Sequence, residues 1–205
     1  MLLRRAALLA LVAGCGDDAA PDGGLCIVGD PTQPAELQVV ARGLAPVADG
    51  DTLLLETPPQ GGHVIFAGVR VKNADLCGAS LQAAVRDPCT NRVLGIERRP
   101  IAWRIAEDGF AEPAQPQEIS DYANVPLCPN AAAADDLDGP ALQLELRFYP
   151  SGADPVDLTM AITATCADND APNLCRCECD SDYELGVQCP ADADGGVAEC
   201  VDAGL

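Results

Sequence analysis

Eleven cysteines and a dense set of carboxylates are the side chains of this 205-residue chain with most chemistry to offer. Cysteines can pair as disulfides or, as thiolates, hold a soft metal ion. Cys175, Cys177 and Cys179 alternate too tightly for the C-x2-C spacing of structural zinc sites, so bridges are expected there and no transition metal. Asp168, Asn169, Asp170, Asp180, Asp182, Asp192, Asp194 and Glu199 offer the oxygen donors that a hard cation prefers. Of these, Asp168, Asp170, Asp192 and Asp194 are candidate calcium ligands. His63 is the sole histidine and opens a strand-like run, a setting more often structural than catalytic. No G-x-S-x-G, H-E-x-x-H or phosphate-cradling glycine loop occurs, and Ser80, Ser120, Ser151 and Ser181 lack the setting of a nucleophile. A non-enzyme is therefore expected. The competing reading is a hydrolase of extracellular polymers that uses two carboxylates alone.

The first fifteen residues bear on where that chemistry happens. Met1-Leu2-Leu3-Arg4-Arg5 is a positive start, Ala6 to Ala13 a short apolar run, and Val12-Ala13-Gly14-Cys15 a small-residue boundary ending in cysteine. The apolar run falls well short of the ~20 residues that span a bilayer, so it reads as an export signal. This segment resembles the signal of bacterial lipoproteins. The resemblance implies cleavage after residue 14 and acylation of Cys15 by palmitate-type chains. Two or three chains suffice for stable anchoring where one does not. By the same resemblance, Gly16 ahead of Asp17 and Asp18 points to the outer membrane rather than inner-membrane retention. With Cys15 acylated, ten cysteines remain: Cys26, Cys77, Cys89, Cys128, Cys166, Cys175, Cys177, Cys179, Cys189 and Cys200. An even number in an exported chain reads as five disulfides. Cys77 with Cys89 and Cys128 with Cys166 are the expected pairs.

Charge excludes some partners. The formal net charge is −20, so nucleic acid and anionic lipid head groups are repelled. A cationic partner or a divalent ion suits the surface, and so does solvation alone. Aromatic residues make up 3% of the chain, which leaves a thin aliphatic core and little material for a sugar-stacking cleft.

The elements that must position these groups read as strands. Residues 15–33, rich in Asp, Gly, Ala and Pro, form an expected flexible tether. Residues 34–166 alternate with period two. Leu142, Leu144, Leu146 and Phe148 face one way against Gln143, Glu145 and Arg147, and Leu158, Met160, Ile162 and Ala164 repeat the pattern. These two runs, separated by Pro150 to Pro155, predict an antiparallel hairpin. Further strands are expected at Leu37–Val40, Thr52–Glu56, Ile65–Val71, Leu81–Val85 and Ile101–Ile105. The expected fold is all-β, an antiparallel β-sandwich of immunoglobulin-like architecture with a small disulfide-rich C-terminal extension.

Residues 167–205 form that extension, a Cys-rich acidic tail too poor in apolar residues to build a core. Its run Cys177-Glu178-Cys179-Asp180-Ser181-Asp182-Tyr183, closed by Cys189, resembles the C-terminal half of an EGF-like module, with Asp182 where such modules carry glycine. Asp192-Ala193-Asp194-Gly195-Gly196 resembles an EF-hand-type loop but lacks a third donor before the glycine and the bidentate glutamate. The chain thus reads as a lipid-anchored protein of the bacterial envelope with a non-enzymatic binding, adhesion or structural role. Its expected partners are the bilayer, through Cys15, and an envelope protein or polymer. No cofactor is expected, with a calcium-dependent binding module as the variant reading.

Overall fold

A computed structural model describes residues 26–133, 135–167 and 172–189. Two five-stranded sheets face one another. The first is built on β4 (His63–Lys72), which pairs along one side with β2 (Glu36–Ala41). Its other side carries β10 (Ala123–Cys128) and then β9 (Ala111–Pro113), and β9 pairs with β8 (Trp103–Ile105). The second sheet runs in the order β3 (Asp51–Leu55), β12 (Val156–Cys166), β11 (Ala141–Tyr149), β6 (Ser80–Arg86) and β7 (Val93–Pro100). A two-stranded ribbon joins β1 (Ile27–Val28) to β5 (Ala74–Asp75). One helix, α1 (Pro172–Cys179), follows the sheets. Every pairing is antiparallel except β3 with β12, which run parallel from Asp51↔Ile162 to Leu55↔Cys166.

The β11–β12 hairpin forms in the register expected from alternation, with Leu144 opposite Met160 and Leu146 opposite Leu158. Leu142, Leu144, Leu146 and Phe148 turn inward and are buried. They meet Ile65, Val69 and Val71 of β4, Leu81, Ala83 and Val85 of β6, and Val125 and Leu127 of β10 in one core. Each fully buried aliphatic side chain is worth roughly 1.5–3 kcal/mol, so this layer is the main favourable term in a chain so poor in aromatics. Trp103 stacks edge-on against Phe148 with centroids 5.9 Å apart.

The sheets also meet along their edges. An ideal Cβ on Gly95 of β7 would fall 2.0 Å from the Pro126 carbonyl oxygen of β10, so only glycine permits this approach. Glu97 Oε2 accepts from the Asn124 amide at 2.9 Å, and Asn130 Nδ2 donates to the Leu94 carbonyl at 2.7 Å. At the opposite edge, Glu56 and Val64 exchange both backbone hydrogen bonds where β3 turns into β4. A second, smaller apolar cluster lies on the first sheet, where Val40, Val64, Phe66 and Tyr122 pack together. Tyr122 is fully buried, donates its hydroxyl to the Pro116 carbonyl at 3.0 Å, and lies across Gly68, whose absent Cβ makes room for the ring. This is the geometry of a tyrosine corner.

Within the segment expected to be a tether, β1 pairs with β5 and Cys26 is bonded to Cys77. Both expected disulfide pairs are corrected. Cys77 and Cys89 flank the seven-residue strand β6, which carries the chain about 20 Å, beyond the reach of a bridge. Cys128 and Cys166 do end neighbouring elements, but α1 docks there and takes each of them separately: Cys128 bonds Cys179 and Cys166 bonds Cys175. Cys177 bonds Cys189, and Cys89 is disulfide-bonded as well, its partner lying outside the described residues.

Candidate functional site

β4 runs between two clusters of bridged cysteines. Its last residues, with β5 and Cys77, receive the incoming chain at Cys26. Its first residue, His63, stands opposite Cys128 at the other end, where β3, β10 and β12 also finish. Ten extended residues put about 30 Å between the two ends. The C-terminal segment covers the second end.

That cap is held by covalent and polar links together. Cys175 and Cys179 are four residues apart on α1, hence on one helical face, and both are buried. Their bridges tie the helix to the last residues of β10 and β12. In the loop-closure picture the 51-residue Cys128–Cys179 separation is worth about 4 kcal/mol and the nine-residue Cys166–Cys175 separation about 2.5 kcal/mol. Asp138 is the polar hub. Its Oδ1 accepts from the Cys166 amide at 2.9 Å and the Thr165 hydroxyl at 3.0 Å, and its Oδ2 lies 3.3 Å from Arg176 Nε on α1. The Leu137 amide donates to the Cys179 carbonyl at 2.8 Å, and the Ser181 amide to Asp136 Oδ1 at 2.9 Å.

His63 lies beneath this cap and is 1% exposed. Its Nδ1 is 3.3 Å from the Thr57 hydroxyl, and its Nε2 is 3.1 Å from Glu178 Oε2 of α1. The carboxylate stands close to Nε2 but off the line of a hydrogen bond, so the contact is an ionic approach that strengthens when the ring is protonated. A ring so enclosed holds the helix down and offers no face to a substrate.

Beyond Cys179 the chain turns back on itself. Asp180 Oδ1 accepts from the Asp182 amide at 2.7 Å, an Asx turn, and the Cys177–Cys189 bridge closes the segment. A shallow cleft of about 300 Å³ opens between Cys177, Tyr183 and Val187, with Asp180, Asp182 and Glu184 around it. Leu185 is 86% exposed and Val187 55% exposed, and Leu174 on α1 is exposed as well. The cap therefore presents bare aliphatic side chains bordered by carboxylates.

A second polar constellation occupies the outer face of the first sheet and is closed on itself. Arg70 donates to Glu112 Oε2 at 3.1 Å, to Gln38 Oε1 at 2.9 Å and to both oxygens of Asp108. Arg104 reaches the other oxygen of Glu112 at 2.7 Å, and the Phe110 ring lies 5.0 Å from the Arg70 guanidinium. The Arg70 hydrogen bond, followed by that from the Phe110 amide, holds the Asp108 carboxyl below the usual carboxylate range. Asp157 is lowered in the same way by its hydrogen bonds from Arg147 on the other sheet. These ion pairs consume their own charge.

The residues singled out by sequence are thus divided. His63 comes together with Thr57 and Glu178, while Ser80 sits elsewhere as an acceptor for Arg98 Nε at 3.0 Å. Cys15, Cys200 and the calcium candidates Asp168, Asp170, Asp192 and Asp194 lie outside the described residues. Asp138, Glu178 and Glu112 were not singled out. Each is one acid among many, and only its partner, distant in sequence, distinguishes it. Among the described residues, no helix is long and apolar enough to cross a membrane.

No family model and no curated protein matches the chain. Among solved structures it is similar to CopC from Methylosinus trichosporium OB3b, at 11% identity over 60% of this chain and 89% of that chain, with a TM-score of 0.29.

Proposed function

We propose that this chain is a lipid-anchored protein of the bacterial envelope that acts by binding rather than catalysis and displays its C-terminal cap away from the membrane. The observation that carries the reading is the position of the two ends. The chain enters at the Cys26–Cys77 end of β4, and the cap closes the His63 end about 30 Å away. An anchor at Cys15 then attaches on the entry side, and the bare Leu174, Leu185 and Val187 face outward. Such aliphatic side chains, rimmed by Asp180, Asp182 and Glu184, suit a partner with apolar and cationic groups together. The burial of His63 supports a non-enzymatic role, since the ring works as a fastener of the cap.

The lipobox Val12-Ala13-Gly14-Cys15 supports the anchor, and Gly16 after it supports the outer membrane. The test is the intact mass of protein extracted from membranes, compared with a Cys15→Ser variant. Acyl mass on Cys15, with release of the variant into the soluble fraction, is expected. Unmodified Cys15 in a soluble wild-type protein overturns the reading. Adding a calcium chelator during extraction tests the calcium-dependent alternative, which requires release or unfolding on chelation.

A further inference from the structure

The two bridges that fasten α1 are neighbours in space. Sγ of Cys175 lies 4.0 Å from Sγ of Cys179, and the sulfurs of Cys166, Cys175 and Cys179 all lie within 4.8 Å of one another. Cys128 is bonded to Cys179, so four sulfurs from three elements converge: two from one face of α1, and one each from the ends of β10 and β12. All four cysteines are at least nine-tenths buried. We propose that, when both bridges are reduced, Cys128, Cys166, Cys175 and Cys179 form a tetrathiolate site for a soft d10 cation such as divalent zinc. The proposal does not depend on the anchor or on the displayed cap surface.

The geometry asks for side-chain rotations alone: Cys128, bonded to Cys179 but outside the three-sulfur group, must also swing in toward it. Tetrahedral zinc with Zn–S bonds of about 2.3 Å needs sulfurs roughly 3.8 Å apart. The Cys175–Cys179 separation is already close to this. The two bonded pairs must each open by about 2 Å, which side-chain rotation supplies while β10, β12 and α1 keep their places. An i, i+4 pair on one helix is also a recurring way to present two metal ligands.

The chemistry balances with a named reductant. Two equivalents of a dithiol reduce the two disulfides, delivering four electrons and four protons and leaving as two cyclic disulfides. The metal then displaces those four protons as the thiols become thiolates. The metal would restore by coordination the fastening that reduction removes, so the cap stays docked in either redox state.

The experiment uses the full chain, reduced under non-denaturing conditions, and zinc as the probe. Timed alkylation with mass mapping, with and without one equivalent of zinc, reads which thiols are protected. Protection of at least tenfold at Cys128, Cys166, Cys175 and Cys179, and not at Cys26, Cys77, Cys177 or Cys189, is expected. Cobalt substitution gives a second readout, a thiolate-to-cobalt charge-transfer band whose intensity reports four thiolates per ion. A Cys166→Ser/Cys175→Ser variant should lose the band and a Cys177→Ser/Cys189→Ser variant should keep it. Zinc that protects none of the four, or that protects all cysteines alike, overturns the proposal, as does a reduced chain that unfolds and is not refolded by zinc.

Discussion

Glu178 Oε2 of the C-terminal helix lies 3.1 Å from Nε2 of His63, the first residue of the central strand of the first sheet. The contact joins the last described element to one of the most enclosed polar side chains in the molecule. Glu178→Ala removes the ionic partner of a buried ring and should weaken docking of the helix by about 1–3 kcal/mol. Hydrogen exchange should then quicken across residues 172–179 while β6 and β11 keep their protection. A uniform acceleration in all three would assign Glu178 a global role instead.

The bridges set a larger scale. Replacing Cys128 and Cys179 by serine opens a 51-residue loop and should cost about 4 kcal/mol, against about 2.5 kcal/mol for Cys166 with Cys175. Denaturant midpoints of the two double variants should fall in that order. The reverse order would mean that strain or contacts in the folded cap, and not loop closure, govern the effect.

Gly95→Ala tests the joining of the sheets. The added methyl group meets the Pro126 carbonyl, a backbone atom that cannot swing aside, so β7 and β10 must separate. A loss of about 3 kcal/mol or failure to fold is expected. Gly68→Ala meets the Tyr122 ring instead, so truncating that ring in the same chain should recover part of the loss. Independent, additive effects would refute the packing account.

Acid should expose the Arg70 network. Arg70 holds the folded-state Asp108 carboxyl below its ordinary value of about 3.9. The stabilisation is therefore present above that value and lost as pH falls through the lower folded-state one. An Asp108→Asn variant should show a shallower stability slope in this acid window and match the wild type in slope near neutrality. Equal acid slopes would remove Asp108 from the account.

Alkali should act through Tyr122. Burial pushes its hydroxyl up from the ordinary value near 10, so the folded chain keeps a proton that the unfolded chain gives up. The resulting stability is complete below the ordinary value and disappears as pH rises through the folded-state one. Tyr122→Phe starts less stable, having lost the bond to the Pro116 carbonyl, but should decline less steeply above pH 10. An unchanged slope would point to other groups.

Legibility in the sequence followed periodicity. β11 and β12 were readable residue by residue because each buries one face and wets the other, and β2, β3, β4 and β6 carried weaker versions of that signal. β10 was not, since Asn124 and Pro126 interrupt it, and the chain accommodates Pro126 beside a shift in register. β7 hid behind Gly95 and its two arginines, whose reasons lie on a neighbouring strand and a neighbouring sheet. The cap was least legible. Its helix has no apolar stripe beyond Cys175 and Cys179, and those look like a helical face only once their bridges are known. Asp138 gave no sign among the other acids around it, because its role depends on where β12 and α1 end.

Two of the bridges also decide how the molecule bears tension. A pull on the chain ahead of Cys26 passes through sulfur to Cys77, and one applied beyond Cys179 passes to Cys128. The strands within each closed loop are bypassed, and each loop withholds roughly 170 Å of extensible chain for its separation of 51 residues. Between those two bridges the load returns to the backbone from Cys77 to Cys128, the stretch that also carries the bridged Cys89. A load carried through those two bridges is felt first by that stretch, and the strands inside the two loops are spared.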